Sequence, residues 1–365
     1  MAKKRDSLGA RLNRGEVAYD FIGNRKLWYG LSILITITAI VALAVRGLNM
    51  GIEFQGGAVF TTPKSDVSVS QAQEYAEEAS GHEAVVQKLG SGGLRIQVGS
   101  LDTEKSDQVR AELAKDLNLP ESKIAAELVG PSWGEQIANK AWTGLGVFMF
   151  LVVIYLAIAF EWRMAAAALV ALIHDLTITV GIYSLVGFEV TVGTVIGLLT
   201  ILGYSLYDTV VVFDSLKEGT NGITKQTRFT YSEIANRSIN GTLIRSINTT
   251  VVALLPVAGL LFIGGGVLGA GMLNDISLSL FVGLAAGAYS SIFIATPLVA
   301  DLKEREPAMR ALKKRVLAKR AAAAAKGEPL DGDEGTDGDA GFEDEAETAV
   351  VGQRARRGRP SERRG

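Results

Sequence analysis

The sequence predicts an integral membrane protein of six transmembrane α-helices, with an extracytoplasmic α+β domain of ferredoxin-like βαββαβ order inserted after the first. Three observations predict it. Six apolar runs reach spanning length, charge is segregated into the ends and alternate loops, and the polar stretch between the first two runs carries strand and helix patterns in turn. Mean hydropathy is +0.24 although 21% of residues are charged, which requires long charge-free stretches. The formal net charge of −2 conceals that segregation.

A helix needs about 20 apolar residues to cross a bilayer core, at about 1.5 Å rise each. Residues 27–46, 141–160, 165–186, 191–213, 242–263 and 276–299 meet that length. The arm before them, residues 1–26, is polar and lacks a short apolar core followed by small residues. The first run therefore reads as a retained span and not a cleaved signal peptide.

Orientation follows from Lys and Arg in the short loops. The arm holds Lys3, Lys4, Arg5, Arg11, Arg14, Arg25 and Lys26; the loop after the second span holds Arg163. The loop at 214–241 holds Lys217, Lys225, Arg228 and Arg237, and the tail from 300 opens with Lys303 and Arg305. The loops of opposite parity, Gly187–Val190 and Gly264–Asn274, contain neither residue. Both termini are expected in the cytoplasm, and residues 47–140 outside.

Within 47–140, Gly51–Thr62 reads as a strand with Gly56-Gly57 inside it, and Ser68–Ser80 as a helix opened by Ser68. Ala84–Leu89 and Leu94–Val98 read as strands joined by Gly90-Ser91-Gly92-Gly93. Thr103–Leu117 is helical, with Val109, Leu113 and Leu117 on one face, and Ile124–Val129 is a last strand before Gly130-Pro131. That order suggests a ferredoxin-like sandwich, a fold that names no function. The tail, residues 300–365, is low in complexity beyond about Ala318: an alanine block, an acidic stretch and a basic end. Too few large apolar residues remain there to form a core, and disorder is expected.

The absence of cysteine excludes disulfides and thiolate metal sites, and two histidines, His82 and His174, exclude a histidine-rich centre. No pattern for an enzyme, an organic cofactor or nucleic-acid binding stands out. Function is expected instead where ionisable residues enter the spans, because burying them in hydrocarbon is costly. The third span carries His174-Asp175, the fourth Tyr204-Ser205 and Tyr207-Asp208, and the fifth Arg245 with Asn248, Thr249 and Thr250.

By helical rise, Asp208 lies roughly 8 Å from the cytoplasmic end of its span and Arg245 roughly 5 Å; His174 and Asp175 lie roughly 14 Å in. Similar depth on adjacent helices lets Asp208 and Arg245 pair. Two readings follow. The pair is a strut between helices, with His174 a packing residue, or it belongs to a titratable path in which a moving Arg switches a buried acid. A third, peptide hydrolysis by Asp175 and Asp208, lacks the Gly-x-Gly-Asp element such enzymes carry. Gly193, Gly197, Gly283 and Gly287 are placed for close helix packing, and Pro256 for a kink.

Two segments carry a family resemblance. Gly51-Ile52-Glu53-Phe54-Gln55-Gly56-Gly57 is similar to a G-x-D-F-x-G-G motif, and Leu199–Asp214, with Gly203-Tyr204-Ser205-Leu206-Tyr207-Asp208 at its centre, to G-Y-S-x-N-D-T-V-V-V-F-D. Both resemble the SecF branch of the SecD/SecF protein-export family, of the resistance–nodulation–division superfamily. Glu53 stands where the family has Asp, and Tyr207 where it usually has Asn. The resemblance covers about residues 20–300.

It implies a subunit of the bacterial cell (cytoplasmic) membrane that pairs with a homologous SecD-like partner beside the SecYEG channel. The proton-motive force would then help draw preproteins outward, with protons as the coupling ion and no cofactor. Asp208 and Arg245 map onto the family's proton-path acid and its basic partner, with Asp175 and His174 beside them. The alternative is a proton-driven half-transporter of the same superfamily, exporting lipids or small molecules.

Overall fold

The computed structural model describes residues 18–265 and 271–326. Helix α1 (Arg25–Arg46) leads to strand β1 (Asn49–Met50), a single helical turn α2 (Ile52–Gln55) and strand β2 (Gly57–Lys64). Helix α3 (Val69–Ser80), strands β3 (Ala84–Lys88) and β4 (Gly93–Gly99), helix α4 (Thr103–Asp116) and strand β5 (Ala125–Val129) follow. Then come helices α5 (Pro131–Ala159) and α6 (Trp162–Val186), strand β6 (Glu189–Val190), and helices α7 (Val192–Gly219) and α8 (Tyr231–Gly259). A π-helical stretch, Leu260–Gly265, ends the fifth span. The sixth is α9 (Gly271–Ser290), a π-helical turn (Ser291–Ala295) and α10 (Thr296–Glu304); α11 (Pro307–Lys326) follows it. Among the described residues, six helices are long and apolar enough to cross a membrane.

Several helices outrun their apolar stretches. α5 starts at Pro131, ten residues before 141, because a proline after Gly130 supplies a helical φ with no amide to satisfy. α8 starts at Tyr231, where Thr230 and Glu233 form a capping box. α7 runs on to Gly219, so the loop expected at 214–241 shrinks to 220–230. Hydropathy marks only the part of a helix that needs apolar cover; the backbone ladder continues until a cap ends it.

Strands β2 to β5 form one antiparallel sheet in the order β3-β4-β2-β5, with Ala58 opposite Val98 and Leu128, and Phe60 opposite Ile96. Phe60, Leu94, Ile96 and Val98 pack with Ala72 and Ala76 of α3 and Val109 and Leu113 of α4 in one buried core. The strand expected over Gly51–Thr62 is broken: α2 occupies its first half and pairing begins at Gly57. Gly56 (φ 74°) and Gly57 (φ 139°) turn the chain, and a Cβ on Gly57 would lie 2.3 Å from Val98 O.

Small residues let α7 and α9 approach closely. A Cβ on Gly283 would meet Ile201 Cδ1 at 2.1 Å, one on Gly287 would meet Ser205 Cβ at 2.9 Å, and one on Gly197 would meet Ser279 Oγ at 1.8 Å. Disorder is expected from about Ala318, but the structure is helical there as far as Lys326. Helix α11 runs through the alanine block to Lys326, because alanine propagates a helix already docked by Met309, Leu312 and Val316. The acidic and basic tail segments and most of the N-terminal arm lie outside the described residues.

Candidate functional site: carboxylates held by serines between the spans

The third span presents Asp175, fully buried, and His174, 8% exposed, to the bundle interior. One face of α7 meets them with Ser205 and, a turn later, Asp208, which is 6% exposed. Ser205 Oγ donates to Asp175 Oδ2 at 2.5 Å. Asp208 accepts from two further hydroxyls: Ser246 Oγ of α8 at 2.6 Å on Oδ1, and Ser291 Oγ on Oδ2. Ser291 opens the π-helical turn, a feature that re-aims side chains and concentrates at functional sites.

His174 Nδ1 lies 3.8 Å from Asp175 Oδ1, and neither ring nitrogen nor that oxygen has a hydrogen-bond partner among the described residues. The imidazole stacks on Tyr289, with ring centroids 6.1 Å apart. Tyr289 Oη shares a 2.8 Å hydrogen bond with Ser32 of α1. Polar groups from the first, third, fourth, fifth and sixth spans are thus gathered in one buried region. Hydroxyls both donate and accept, so each can serve its carboxyl in either protonation state. Among the described residues no three His, Asp or Glu converge as metal ligands.

Arg245 is placed differently from expectation. It is exposed on α8, and among the described residues no carboxylate lies within salt-bridge distance of it. Tyr207, 59% exposed, also points away from the region. Because Asp208 is held from α8 and the π turn, the residue at 207 takes no part in that holding. Tyr204 keeps its hydroxyl buried without a partner among the described residues, and Gly203 is exposed on the same helix. Sequence reading missed Ser246 and Ser291. Serines interrupting an apolar run, as Ser290-Ser291 do, were the available signal.

The glycine motif lies away from the carboxylates, where the inserted domain joins the helices. A Cβ on Gly51 would come 2.9 Å from Glu189 Oε1, and one on Gly134 of α5 would come 2.9 Å from Phe54 O. Glu53 Oε2 accepts from Val192 N–H at 2.8 Å, at the N-terminus of α7, where a helix favours negative charge. Glu189 pairs with Arg95 at 3.7 Å. Burial pushes the Glu189 carboxyl above its usual range, Arg95 opposes that, and Asp275 and Glu53 reinforce it.

The sequence profile described as "Protein export membrane protein SecD/SecF, C-terminal" matches residues 109–305, and that of the SecD/SecF GG motif matches residues 41–63. The chain belongs to the SecD/SecF protein-export family. It is 75% identical to protein translocase subunit SecF of Streptomyces coelicolor, over 99% of each chain. SecF of Escherichia coli O157:H7 is 33% identical, covering 80% of this chain and 90% of that one. The crystal structure of the translocon-associated membrane protein SecDF from Thermus thermophilus superposes with a TM-score of 0.70 at 32% identity. It covers 82% of this chain, which spans 42% of that longer one. Within the family the chain is therefore an accessory membrane subunit of protein export, of the SecF type. The carboxylates lie within the first matched segment and Gly51–Gly57 within the second.

Proposed function

We propose that the protein is a proton-driven half-unit that pairs with a SecD-like partner and assists preprotein translocation through the SecYEG channel. The observation that carries this reading is the placement of Asp175 and Asp208: two buried carboxylates on adjacent helices, held by hydroxyls, with no Lys or Arg within salt-bridge distance among the described residues. A strut would pair such charges, because an unpaired one is expensive to bury. A carboxyl that cycles between protonated and ionised forms needs partners serving both, and serine hydroxyls do. Arg245, Tyr207 and Asn248 are exposed at span depth, where lipid would be a poor neighbour for a guanidinium. A homologous subunit covering that face supplies a polar one, and the length of the single-chain SecDF relative supports such a pairing.

The inserted domain is a ferredoxin-like sandwich facing away from the cytoplasm, and both termini are cytoplasmic, in the bacterial cell membrane. The strand order supports the sandwich, and the distribution of Lys and Arg supports the orientation. The coupling ion is the proton, and the protein needs no cofactor. The deciding experiment replaces Asp208→Asn in the complex in native membranes, scoring abundance, recovery with the SecD-like partner, and proton-dependent export. Normal abundance and pairing with loss of export is expected. Undiminished export would overturn the reading.

A further inference from the structure

The polar contacts that fasten the inserted domain and its entry to the helices converge on one turn. Ser184 Oγ donates to Gly47 O at 2.7 Å, and the Arg46 guanidinium donates to Leu185 O. β1 pairs in parallel with β6, and Gly51 N–H donates to Val190 O at 2.9 Å. Glu53 reaches Val192 N–H, and Arg95 of β4 reaches Glu189. Every one of these contacts ends within residues 184–192, the link between α6 and α7. Those two helices are the ones that carry Asp175, Ser205 and Asp208.

Geometry makes this a rigid joint. Gly51 must lack a side chain because Glu189 and Val190 O occupy the space its Cβ would take. Glu189 is 7% exposed, and its side chain faces Arg95 and Gln97 from β4, Glu53 from α2 and Asp275 from α9. A buried ion pair adds little net stability over apolar packing, so such a pair fixes position more than it stabilises.

We propose that Arg95 and Glu53 are positioning residues that lock the inserted domain to the α6–α7 turn, so that movement of this carboxylate-bearing hairpin is delivered to the domain. The inference rests on the proton-driven reading and names the mechanical link within it. Covalent continuity ties the domain to α1 and α5 as well, but neither helix carries the buried acids.

The chain has no cysteine, so two introduced ones report without interference. Spin labels at Glu74→Cys on α3 and Lys314→Cys on α11, both exposed, measure the distance from domain to helices in the partner complex in proteoliposomes. An imposed proton gradient is expected to shift that distance. In the Glu53→Leu, Arg95→Met background the shift disappears and export falls about tenfold, a usual size for coupling between sites. A shift that survives in this background overturns the inference and leaves the proton-driven reading standing. A shift absent with both residues intact, while export still depends on the gradient, also overturns the inference; export indifferent to the gradient overturns the proton-driven reading itself. Should the double variant not accumulate, Arg95→Glu alone is compared with Arg95→Glu, Glu189→Arg. Recovery of export in the swapped pair supports the joint, and equal export in the two variants overturns it.

Discussion

Ser246 donates a 2.6 Å hydrogen bond to Asp208, while Arg245, one residue earlier on the same helix, is exposed on the outside of the subunit. Consecutive residues on a helix are rotated by about 100° at a rise of only about 1.5 Å. Equal depth therefore brought the right helix to Asp208, and angle chose the serine over the arginine. Arg245→Met should leave thermal unfolding of the isolated chain nearly unchanged, since no carboxylate among the described residues is lost to it. Recovery of the partner in pull-downs from native membranes should fall several-fold. A large drop in melting temperature without loss of the partner would refute this placement.

Ser246→Ala and Ser291→Ala each withdraw a donor from a buried carboxylate. An unmet buried acceptor costs about 1–3 kcal/mol, more when charged. Each variant should unfold earlier on heating. The double variant should lose less than the sum of the singles, because both hydroxyls act on one group. Strict additivity in thermal melts would show that the two serines do not share Asp208.

The tail should be dispensable only from a definite point. Arg320 forks onto Glu233 with Nη1–Oε1 at 2.6 Å and Nη2–Oε2 at 2.8 Å, tying α11 to the start of α8. Truncation after Lys326 should preserve abundance and export. Truncation after Lys319 removes the fork and should cost about 1 kcal/mol, modest because the pair is partly solvated. Equal melting temperatures for the two truncations would show that α11 is held by Met309, Leu312 and Val316 alone.

Glu189 gives the stability curve a predictable slope. Its folded carboxyl lies above the usual 4.5, chiefly through burial. The contribution of such a group is fully present below the unfolded value and is lost as pH rises through the folded one. Glu189→Gln should flatten the fall in melting temperature as pH rises above the usual 4.5. A fall that is as steep in the variant would remove Glu189 as its source.

Orientation can be read directly with single cysteines. Ser91→Cys, in the β3–β4 turn, should react with an impermeant thiol reagent on intact cells. Gly222→Cys, in the α7–α8 loop, should react only after lysis. Labelling of Gly222→Cys on intact cells would invert the topology.

Much of this protein was legible without coordinates. Spanning length and charge segregation gave the six helices, because hydrocarbon tolerates little else. Alternation and turn residues gave the order of the strands and helices of the inserted domain, since each period is local. The acids at 175 and 208 stood out because their burial costs so much. Their partners did not, as a serine in an apolar run is unremarkable until a neighbouring helix points a carboxylate at it. Ser291 depended on a π-helical turn that no periodicity announces, and Arg245 on a rotation that hydropathy does not record. The short helix at Ile52–Gln55 and the meeting of Arg95 with Glu189, 94 residues apart in the chain, depended on how the domain sits on the α6–α7 turn. Sequence determined which segments enter the membrane and which groups are costly there, because those are one-dimensional sums over side chains. Tertiary structure decided which groups meet, because a hydrogen bond requires two atoms within about 3 Å and in line, and that is fixed only when the helices have packed.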